Sequence, residues 1–255
     1  MKRFTYILRK RDKLTNDVFL YGFDVVEEGF SYVPGQFVTL ALTKPTTNET
    51  LSRAYSIAGS IDGHVQSSWL VSTRYFELII RHVPDGRGTT ILSTLPLGSQ
   101  MSGYAPMGAL TLNKLDNIDR PIIFCASSTG IAPFRSILQY MQSCGNYANI
   151  EVFWGLRKIS DIFMFDELMQ FEKIWKDNGH SLQINICLSQ ETQIPTDFKD
   201  GSTHLKLGRV NLSFPTLNQK AYGVLICGGK EFVIDTQSYF NQHLPDSQVI
   251  VERFN

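Results

Sequence analysis

The sequence has no long apolar run and no excess of one charge, and we expect no export signal. No stretch reaches the roughly 18 consecutive apolar residues that a membrane-spanning helix needs. The 24 basic and 24 acidic residues give a net charge of zero, so the general attraction of basic proteins to nucleic acids and anionic membranes is missing. The first six residues alternate basic and aromatic side chains and lack the apolar segment of a signal peptide. We therefore expect a cytoplasmic protein with no membrane span and no nucleic-acid partner.

Closely spaced metal ligands are also missing. The four cysteines lie far apart, and none of the five histidines forms an H-E-x-x-H motif or pairs with a cysteine at ligand spacing. A C-x4-C-x2-C run, which would hold a plant-type iron–sulfur cluster, is absent. We expect no metal site, and we interpret the cysteines as small buried side chains in a reducing compartment: Cys125, Cys144, Cys187 and Cys227.

The first part of the 255-residue chain has the pattern of short strands. Runs rich in Val, Ile, Phe, Tyr and Thr alternate with Gly, Pro, Asn and Asp clusters, which favours a barrel or a sandwich. A short helix is expected at residues 88–95. The predicted strands are 2–10, 17–26, 36–42, 53–58 and 75–82.

After a polar stretch at residues 113–117, strands alternate with helices. This order predicts a mostly parallel sheet with helices on both faces. We predict strands at 121–126, 150–154, 181–188, 222–227 and 248–251, and helices at 134–141, near 165–175 and at 231–240. The domains are accordingly predicted as residues 1–112 and 113–255.

The most informative segment joins an apolar strand to a helix. The strand leads into Ser127, Ser128, Thr129 and Gly130, and Pro133 stands where the first helical turn would begin. Small side chains let backbone N–H groups approach a ligand, and a helix N-terminus attracts phosphate or pyrophosphate. The segment is neither G-x-G-x-x-G nor a P-loop, because Gly130 is its only glycine and no lysine follows.

Two other interpretations of this loop stay open. Residues 126–130 are one residue away from the G-x-S-x-G nucleophile elbow of hydrolases, which would make Ser127 or Ser128 reactive. The first glycine of that motif is missing, however, and no downstream histidine is marked out as the base. A tight turn that binds no ligand is the third interpretation.

Several short motifs, taken in order, resemble the ferredoxin/flavodoxin–NADP reductase family, closest to its bacterial members. They are Pro34-Gly35-Gln36-Phe37, Arg53-Ala54-Tyr55-Ser56, Gly86-Arg87-Gly88-Thr89-Thr90, Thr129-Gly130-Ile131-Ala132-Pro133, Gly155-Leu156-Arg157, Cys227-Gly228-Gly229 and Val251-Glu252-Arg253-Phe254. Each string is weak alone, but their joint order is specific and covers essentially the whole chain. The resemblance implies an antiparallel FAD-binding β-barrel domain followed by a mostly parallel α/β domain that binds NADP(H).

The resemblance also implies a set of flavin contacts. Arg53 would offer a two-pronged guanidinium to the flavin pyrophosphate. Tyr55 would lay its ring against the isoalloxazine, and Ser56 would hydrogen-bond near the reactive N5 edge. Ala54 is a further implied flavin position, and Arg81 and Val83 would flank the ribose and adenine. The implied set is completed by three residues around the pyrophosphate: Gly88, Thr89 and Thr90.

A second implied set serves the nicotinamide nucleotide. Its pyrophosphate loop would consist of Ser128, Thr129 and Gly130. Cys227 would lie beside the nicotinamide carbon that gives up hydride, and Glu252 would be the acidic residue near both rings. Phe254 resembles the C-terminal aromatic that covers the flavin. With Ser56, the residues Cys227 and Glu252 make up the predicted catalytic set.

The coenzyme preference depends on contacts to the 2′-phosphate of NADP. The family's usual S-R-E triplet is Ser189-Gln190-Glu191 here, so one arginine is missing. Losing one charge-assisted contact costs about 1.5–3 kcal/mol, which is roughly tenfold or more in preference. Arg157 and Arg209 match positions where bacterial relatives contact this phosphate, and Ser189 keeps its hydroxyl. We therefore predict NADPH, with NADH possible.

The expected function is that of a ferredoxin/flavodoxin–NADP(+) reductase, which moves electrons between NADPH and a one-electron carrier through FAD. The carrier, a ferredoxin or flavodoxin, would be a separate protein, and the chain is expected to be a monomer. Alternatives are an NADH-dependent flavin reductase or oxygenase electron-supply reductase, and a flavin-binding regulator. Since such carriers are acidic, a basic docking patch is expected, with candidates Lys2, Arg3, Arg9, Lys10, Arg11 and Lys13.

Overall fold

The computed structural model describes residues 1–44, 48–60, 62–67, 69–194 and 204–254. The chain forms two compact units. The barrel unit consists of Met1–Thr111 and Ala132–Cys144, and the parallel-sheet unit consists of Leu112–Ile131 and Gly145–Asn255. Within the described ranges, no helix combines the length and apolarity needed to cross a membrane.

The barrel unit is built mainly from antiparallel strands. Its elements are β1 (Lys2–Lys13), β2 (Val18–Val25), β3 (Ser31–Tyr32), β4 (Phe37–Thr43), β5 (Thr50–Gly59), β6 (His64–Ser67), β7 (Leu70–Ser72), β8 (Tyr75–Arg81), α1 (Arg87–Thr94), β9 (Gln100–Ala105) and α2 (Ala132–Cys144). The main sheet has the order β4-β5-β8-β2-β1-β9, and β3, β7 and β6 form a separate small sheet.

The two ends of the main sheet meet and nearly close it into a barrel. Phe37 on β4 exchanges backbone hydrogen bonds of 2.7 and 3.0 Å with Met107, just after β9. The Thr39 hydroxyl oxygen accepts the backbone N–H of Tyr104 at 2.9 Å. Closing a sheet in this way removes its exposed edges.

Aromatic rings fill the interior of the barrel. Phe76 packs edge-on against Tyr6 at 5.2 Å and stacks with Phe23 at 5.5 Å and Phe30 at 5.4 Å between ring centroids. All four side chains are buried. Alternating strand positions point inward, so the period-two pattern of the sequence becomes this core.

The parallel-sheet unit contains β10 (Ile122–Ser127), β11 (Ile150–Leu156), α3 (Phe165–Asp177), β12 (Leu182–Leu188), β13 (Leu205–Leu207), β14 (Gly223–Gly229), α4 (Lys230–His243) and β15 (Gln248–Phe254). The strand order is β13-β12-β11-β10-β14-β15, and every neighbouring pair is parallel. Strand β10 is buried from Ile122 to Ala126, as expected for a central strand of a covered parallel sheet. The carboxyl ends of the strands meet at one edge, where ligands bind in such sheets.

The predicted fold class, an antiparallel barrel followed by a parallel α/β sheet, is confirmed. The division into domains at residues 112 and 113 stays a prediction. Helix α2 follows β10 in sequence yet packs on β5 in the barrel unit, so the compact units are not continuous stretches of chain. Of the four cysteines expected to be buried, Cys144 is exposed because it lies in the last turn of α2.

Candidate functional site

Strand β5 carries the predicted flavin residues Arg53, Ala54, Tyr55 and Ser56. Arg53 lies opposite Leu40 of β4, and Ser56 lies opposite Phe37. Arg53 and Ala54 are exposed, whereas Tyr55 and Ser56 are half-buried. Burial raises the pKa of the Tyr55 phenol to about 12, so it stays protonated and neutral at physiological pH.

The N-terminus of α1 lies against Arg53. A Cβ atom added to Gly88 would stand 3.0 Å from Cγ of Arg53, so the glycine leaves room that a larger residue would fill. The first turn of α1 carries no acidic side chain, and Thr89 is buried while Thr90 is exposed. A guanidinium beside the unpaired N–H groups of a helix start suits a pyrophosphate. The residues present therefore fit the phosphates of a flavin dinucleotide.

The predicted adenosine-side residues follow β8. The Arg81 guanidinium is held by Asp17, with 2.6 Å between Nε and Oδ2. Val83 is 52 % exposed, which leaves its side chain open to a ligand. Between them, His82 stacks on Phe19 at 4.3 Å, and its Nε2 lies 2.7 Å from the Tyr21 hydroxyl. Burial, with Arg11 nearby, lowers the pKa of His82, so its ring is neutral at physiological pH.

In the parallel-sheet unit, the loop after β10 is held from two sides. The Ser127 hydroxyl oxygen accepts the backbone N–H of Gly229 at 3.2 Å. The indole N–H of Trp154 on β11 donates to the Ser128 carbonyl at 2.8 Å. Ser128 itself has a positive φ of 51°, which is uncommon for a residue other than glycine. Nothing in the sequence marked Trp154, which looks like an ordinary apolar strand residue.

Gly130 in this loop packs directly on the end of β14. A Cβ atom at Gly130 would overlap the backbone carbonyl of Cys227. The missing side chain therefore allows the loop backbone to lie at the carboxyl ends of β10 and β14. Ser128, Thr129 and Gly130 thus stand together at the sheet edge where a nucleotide pyrophosphate would bind.

The other predicted nicotinamide-site residues lie on β14 and β15. Cys227 pairs in register with Glu252, and Gly229 pairs with Phe254. Cys227 is fully buried, Glu252 is half-buried and Phe254 is 38 % exposed. The strand register thus brings two of the three predicted catalytic residues, Cys227 and Glu252, side by side. The third, Ser56, belongs to the barrel unit.

The three predicted 2′-phosphate residues lie at the ends of neighbouring strands. The Ser189 N–H and hydroxyl both donate to the Leu156 carbonyl, at 3.0 and 3.1 Å, which places Ser189 next to Arg157. The Gly208 N–H donates to the Leu188 carbonyl at 2.9 Å, which brings Arg209 to the same place. Both arginines and Ser189 are exposed.

Two carboxylates that follow these residues in sequence accept backbone hydrogen bonds. Glu191 accepts the backbone N–H of Ile159 at 3.0 Å, and Asp161 accepts that of Lys158 at 3.1 Å. In the described ranges, neither Arg157 nor Arg209 forms a salt bridge within 4.0 Å. Two exposed arginines at the ends of neighbouring strands suit a phosphate monoester.

Of the six basic residues considered for carrier docking, two form salt bridges in the described part of the chain. Arg9 pairs with Asp24 at 2.6 Å, and Lys10 pairs with Asp12 at 3.2 Å and Glu77 at 3.4 Å. Arg11 donates to two carbonyls at the end of α1. These contacts do not neutralise the other candidates, so the basic docking patch stays a prediction.

Comparison with known proteins assigns both parts of the chain. Residues 5–112 match the oxidoreductase FAD-binding domain, and residues 124–238 match the oxidoreductase NAD-binding domain. Ferredoxin–NADP reductase B of Sorangium cellulosum is 31% identical over 141 residues, which cover 55% of this chain and 52% of the relative. The chain belongs to the ferredoxin–NADP reductase family. The family predicted from the motifs is thereby confirmed.

Other members of the reductase family are similar over longer stretches. The reductase component of propane 2-monooxygenase from Mycolicibacterium goodii is 28% identical over 185 residues, covering 71% of this chain and 48% of the relative. The chain thus spans about half the length of these relatives. The fold also matches a ferredoxin NADP+ reductase from Neisseria gonorrhoeae solved with FAD and NADP, with a TM-score of 0.75, 16% identity and 99% coverage of both chains.

Membership of this family favours the phosphate-loop interpretation over the hydrolase. The contacts of three of the five histidines agree with this. His82 hydrogen-bonds Tyr21, His204 lies 3.1 Å from the Ile184 carbonyl, and His243 lies 3.0 Å from the Tyr239 carbonyl. The Ser127 hydroxyl oxygen is engaged by the Gly229 N–H. These contacts do not assemble the nucleophile and base that a hydrolase needs.

Proposed function

We propose that the protein is an FAD-dependent reductase that transfers electrons between NADPH and a separate one-electron carrier, a ferredoxin or a flavodoxin. The observation that carries the proposal is the pairing of an FAD-binding and an NAD-binding domain, each with a phosphate-compatible helix start at its predicted site. FAD accepts two electrons as hydride and can release them one at a time. The protein's own residues bind and orient the two nucleotides.

In the barrel unit, we assign the flavin to β5 and α1. Arg53 and the first N–H groups of α1 hold the pyrophosphate, and Gly88 keeps its space open. The neutral Tyr55 ring would lie against the isoalloxazine, and the Ser56 hydroxyl would hydrogen-bond near N5. Arg81, fixed by Asp17, and Val83 flank the adenosine part.

In the parallel-sheet unit, we assign the nicotinamide nucleotide to the loop after β10. The backbone of Ser128, Thr129 and Gly130 binds its pyrophosphate. Cys227 and Glu252, paired across β14 and β15, border the nicotinamide, where a small polarizable thiol shapes the site without reacting. Phe254 at the end of β15 covers a ring of the cofactor pair.

The preference for NADPH rests on Arg157, Ser189 and Arg209. The three residues lie at the ends of neighbouring strands. Neither arginine has a salt-bridge partner among the residues described, so both guanidiniums are available to a 2′-phosphate. Gln190, at the position where the S-R-E triplet of the resembling family has arginine, weakens the preference without removing it.

An NADH-linked reductase that supplies an oxygenase is the second candidate function. Gln190 favours it, and so do two relatives: the reductase component of propane 2-monooxygenase and the electron transfer component of toluate 1,2-dioxygenase from Pseudomonas putida. Both candidates predict the same flavin chemistry and differ in coenzyme and carrier. A flavin-binding regulator, by contrast, would not be reduced rapidly by either coenzyme.

The test compares NADPH and NADH with Arg157→Ala and Arg209→Ala. Each change should lower kcat/KM for NADPH by at least about tenfold and leave kcat/KM for NADH nearly unchanged, because only NADPH carries the 2′-phosphate. Lys173 is an exposed cation on α3, and Lys173→Ala is the control. It should leave kcat/KM unchanged for both coenzymes. Equal losses for both coenzymes would contradict the assignment of these arginines.

A further inference from the structure

The backbone of the nucleotide loop has a conformation that requires support. Ser128 has a φ of 51°, in the left-handed region that costs a residue other than glycine on the order of 1 kcal/mol or more. The following residues form a short 3-10 turn, from Ser128 to Ile131. Because this conformation is costly, other groups must hold it in place.

Trp154 supplies such a support. Its side chain is fully buried on β11, and position 154 pairs with Ala126, two residues before Ser128. The indole N–H donates to the Ser128 carbonyl at 2.8 Å, and Phe163 packs edge-on against the ring at 4.8 Å. A fully buried ring packed in this way cannot turn freely, so the Ser128 carbonyl is held toward the interior.

The direction of this carbonyl fixes the direction of the next N–H. In a planar trans peptide, the C=O and the following N–H point in opposite directions. Since the Ser128 carbonyl points at the buried indole, the Thr129 N–H points away from it. Thr129 is half-buried at the carboxyl edge of the sheet, where the loop is open to a ligand.

We propose that Trp154 is a positioning residue for the coenzyme: by holding the Ser128 carbonyl, it aims the Thr129 N–H at the pyrophosphate. The inference rests on the proposed function, since it requires a dinucleotide on this loop. It predicts an effect shared by NADPH and NADH, because both contain the same pyrophosphate. The effect thereby differs from that of Arg157 and Arg209, which distinguish the two coenzymes.

The chain offers a matched control for this tryptophan. Trp175 on α3 is equally buried, and its indole N–H donates to the Ala148 carbonyl at 3.0 Å. Its ring also has an edge-on aromatic neighbour, Tyr147 at 4.8 Å. Trp154→Phe and Trp175→Phe therefore remove the same kind of hydrogen bond from the same unit. Only Trp154→Phe releases the nucleotide loop.

The experiment measures binding of NADP+ and NAD+ to the flavin-loaded variants by calorimetry. Trp154→Phe should weaken the binding of NADP+ and of NAD+ by a similar factor of about 2 to 12, which corresponds to the loss of one neutral hydrogen bond. Trp175→Phe should leave both affinities unchanged. Flavin reduction by a synthetic dihydronicotinamide without phosphate groups should be equally fast in both variants and the parent, because it uses no pyrophosphate contact.

Several outcomes would overturn the inference. Unchanged affinities in Trp154→Phe would do so, as would a loss matched by Trp175→Phe or slower reduction by the phosphate-free donor. A parent protein that binds neither coenzyme would overturn the proposed function itself. If Trp154→Phe does not fold, NMR of the parent decides: NADP+ should shift the Thr129 amide, and the Trp154 indole proton should exchange slowly. An unshifted Thr129 amide or a rapidly exchanging indole would refute the role of Trp154.

Discussion

Removing Arg135 should destabilise the barrel unit severely. Arg135 on α2 and Glu77 on β8 are both buried, with 3.0 Å between Nη1 and Oε2. The same Nη1 donates at 2.9 Å to the carbonyl of Ala58, which lies where the β5–β8 pairing shifts register. Arg135→Met would leave a buried carboxylate and an unpaired carbonyl. Removing one partner of such a pair costs about 3–5 kcal/mol.

The cation that still faces Glu77 after the substitution determines how much free energy of unfolding is lost. Lys10 remains 3.4 Å from Glu77, so we expect a value near the lower end, about 3 kcal/mol. In a protein of this size each kcal/mol lowers the melting temperature by about 2–4 °C, so Tm should fall by roughly 6–12 °C. The double variant Arg135→Met with Glu77→Leu should recover much of the loss, because no charge then stays buried.

The assay is thermal unfolding followed by circular dichroism. Arg74→Met is the matched control, because Arg74 pairs with Glu28 while the two side chains are 63% and 86% exposed. Exposed pairs contribute at most about 1 kcal/mol, so this Tm should fall by no more than about 4 °C. If Arg135→Met lowers Tm no further than Arg74→Met, the reasoning from burial is refuted.

Three further predictions concern single positions. Gly130→Ala should lower both stability and coenzyme affinity, because the new Cβ overlaps a backbone carbonyl. In Gly229→Ala the new Cβ meets no described atom within 4 Å, so only the smaller loss expected of alanine at a helix N-cap should follow. Calorimetry measures the affinities and thermal unfolding the stabilities. Gly88→Val should lower FAD content after purification by crowding Arg53, and an unchanged absorbance ratio of flavin to protein would contradict the pyrophosphate site. An NMR titration of the His82 ring should give a pKa below its ordinary value of about 6.5. The contribution of the neutral ring to stability is therefore complete above pH 6.5 and is lost as the pH falls through the lower pKa of the folded state. A measured pKa at or above 6.5 would be inconsistent with the burial of the ring.

The long strands and helices were predictable because their periodicity is strong. Strand β10 and helix α4, for example, begin and end within a few residues of the predicted limits. Strand β9 was missed, since Gln100–Ala105 is short, contains a glycine and lacks a β-branched residue. The short strands β3, β6, β7 and β13 were missed for a related reason: they have too few residues to show a period.

The candidate site was predictable where chemistry is carried by a string of residues, and not where it depends on packing. Arg53 to Ser56 and Ser128 to Gly130 form recognisable motifs. The side chain that holds the second of them does not, because Trp154 comes from a distant position and belongs to no motif that the sequence pattern singles out. Which strand lies beside which, and therefore which indole reaches which carbonyl, is set by tertiary structure.

The measurement that tests the central claim most directly is the visible spectrum of the FAD-loaded protein during anaerobic addition of NADPH or NADH. We predict a flavin absorption band that bleaches at much lower NADPH than NADH, and that recovers when an oxidised one-electron carrier is added. A band that bleaches preferentially with NADH would mean that the protein is a flavoenzyme whose coenzyme is NADH rather than NADPH. A protein that binds no FAD, or whose bound FAD neither coenzyme reduces, would contradict the account.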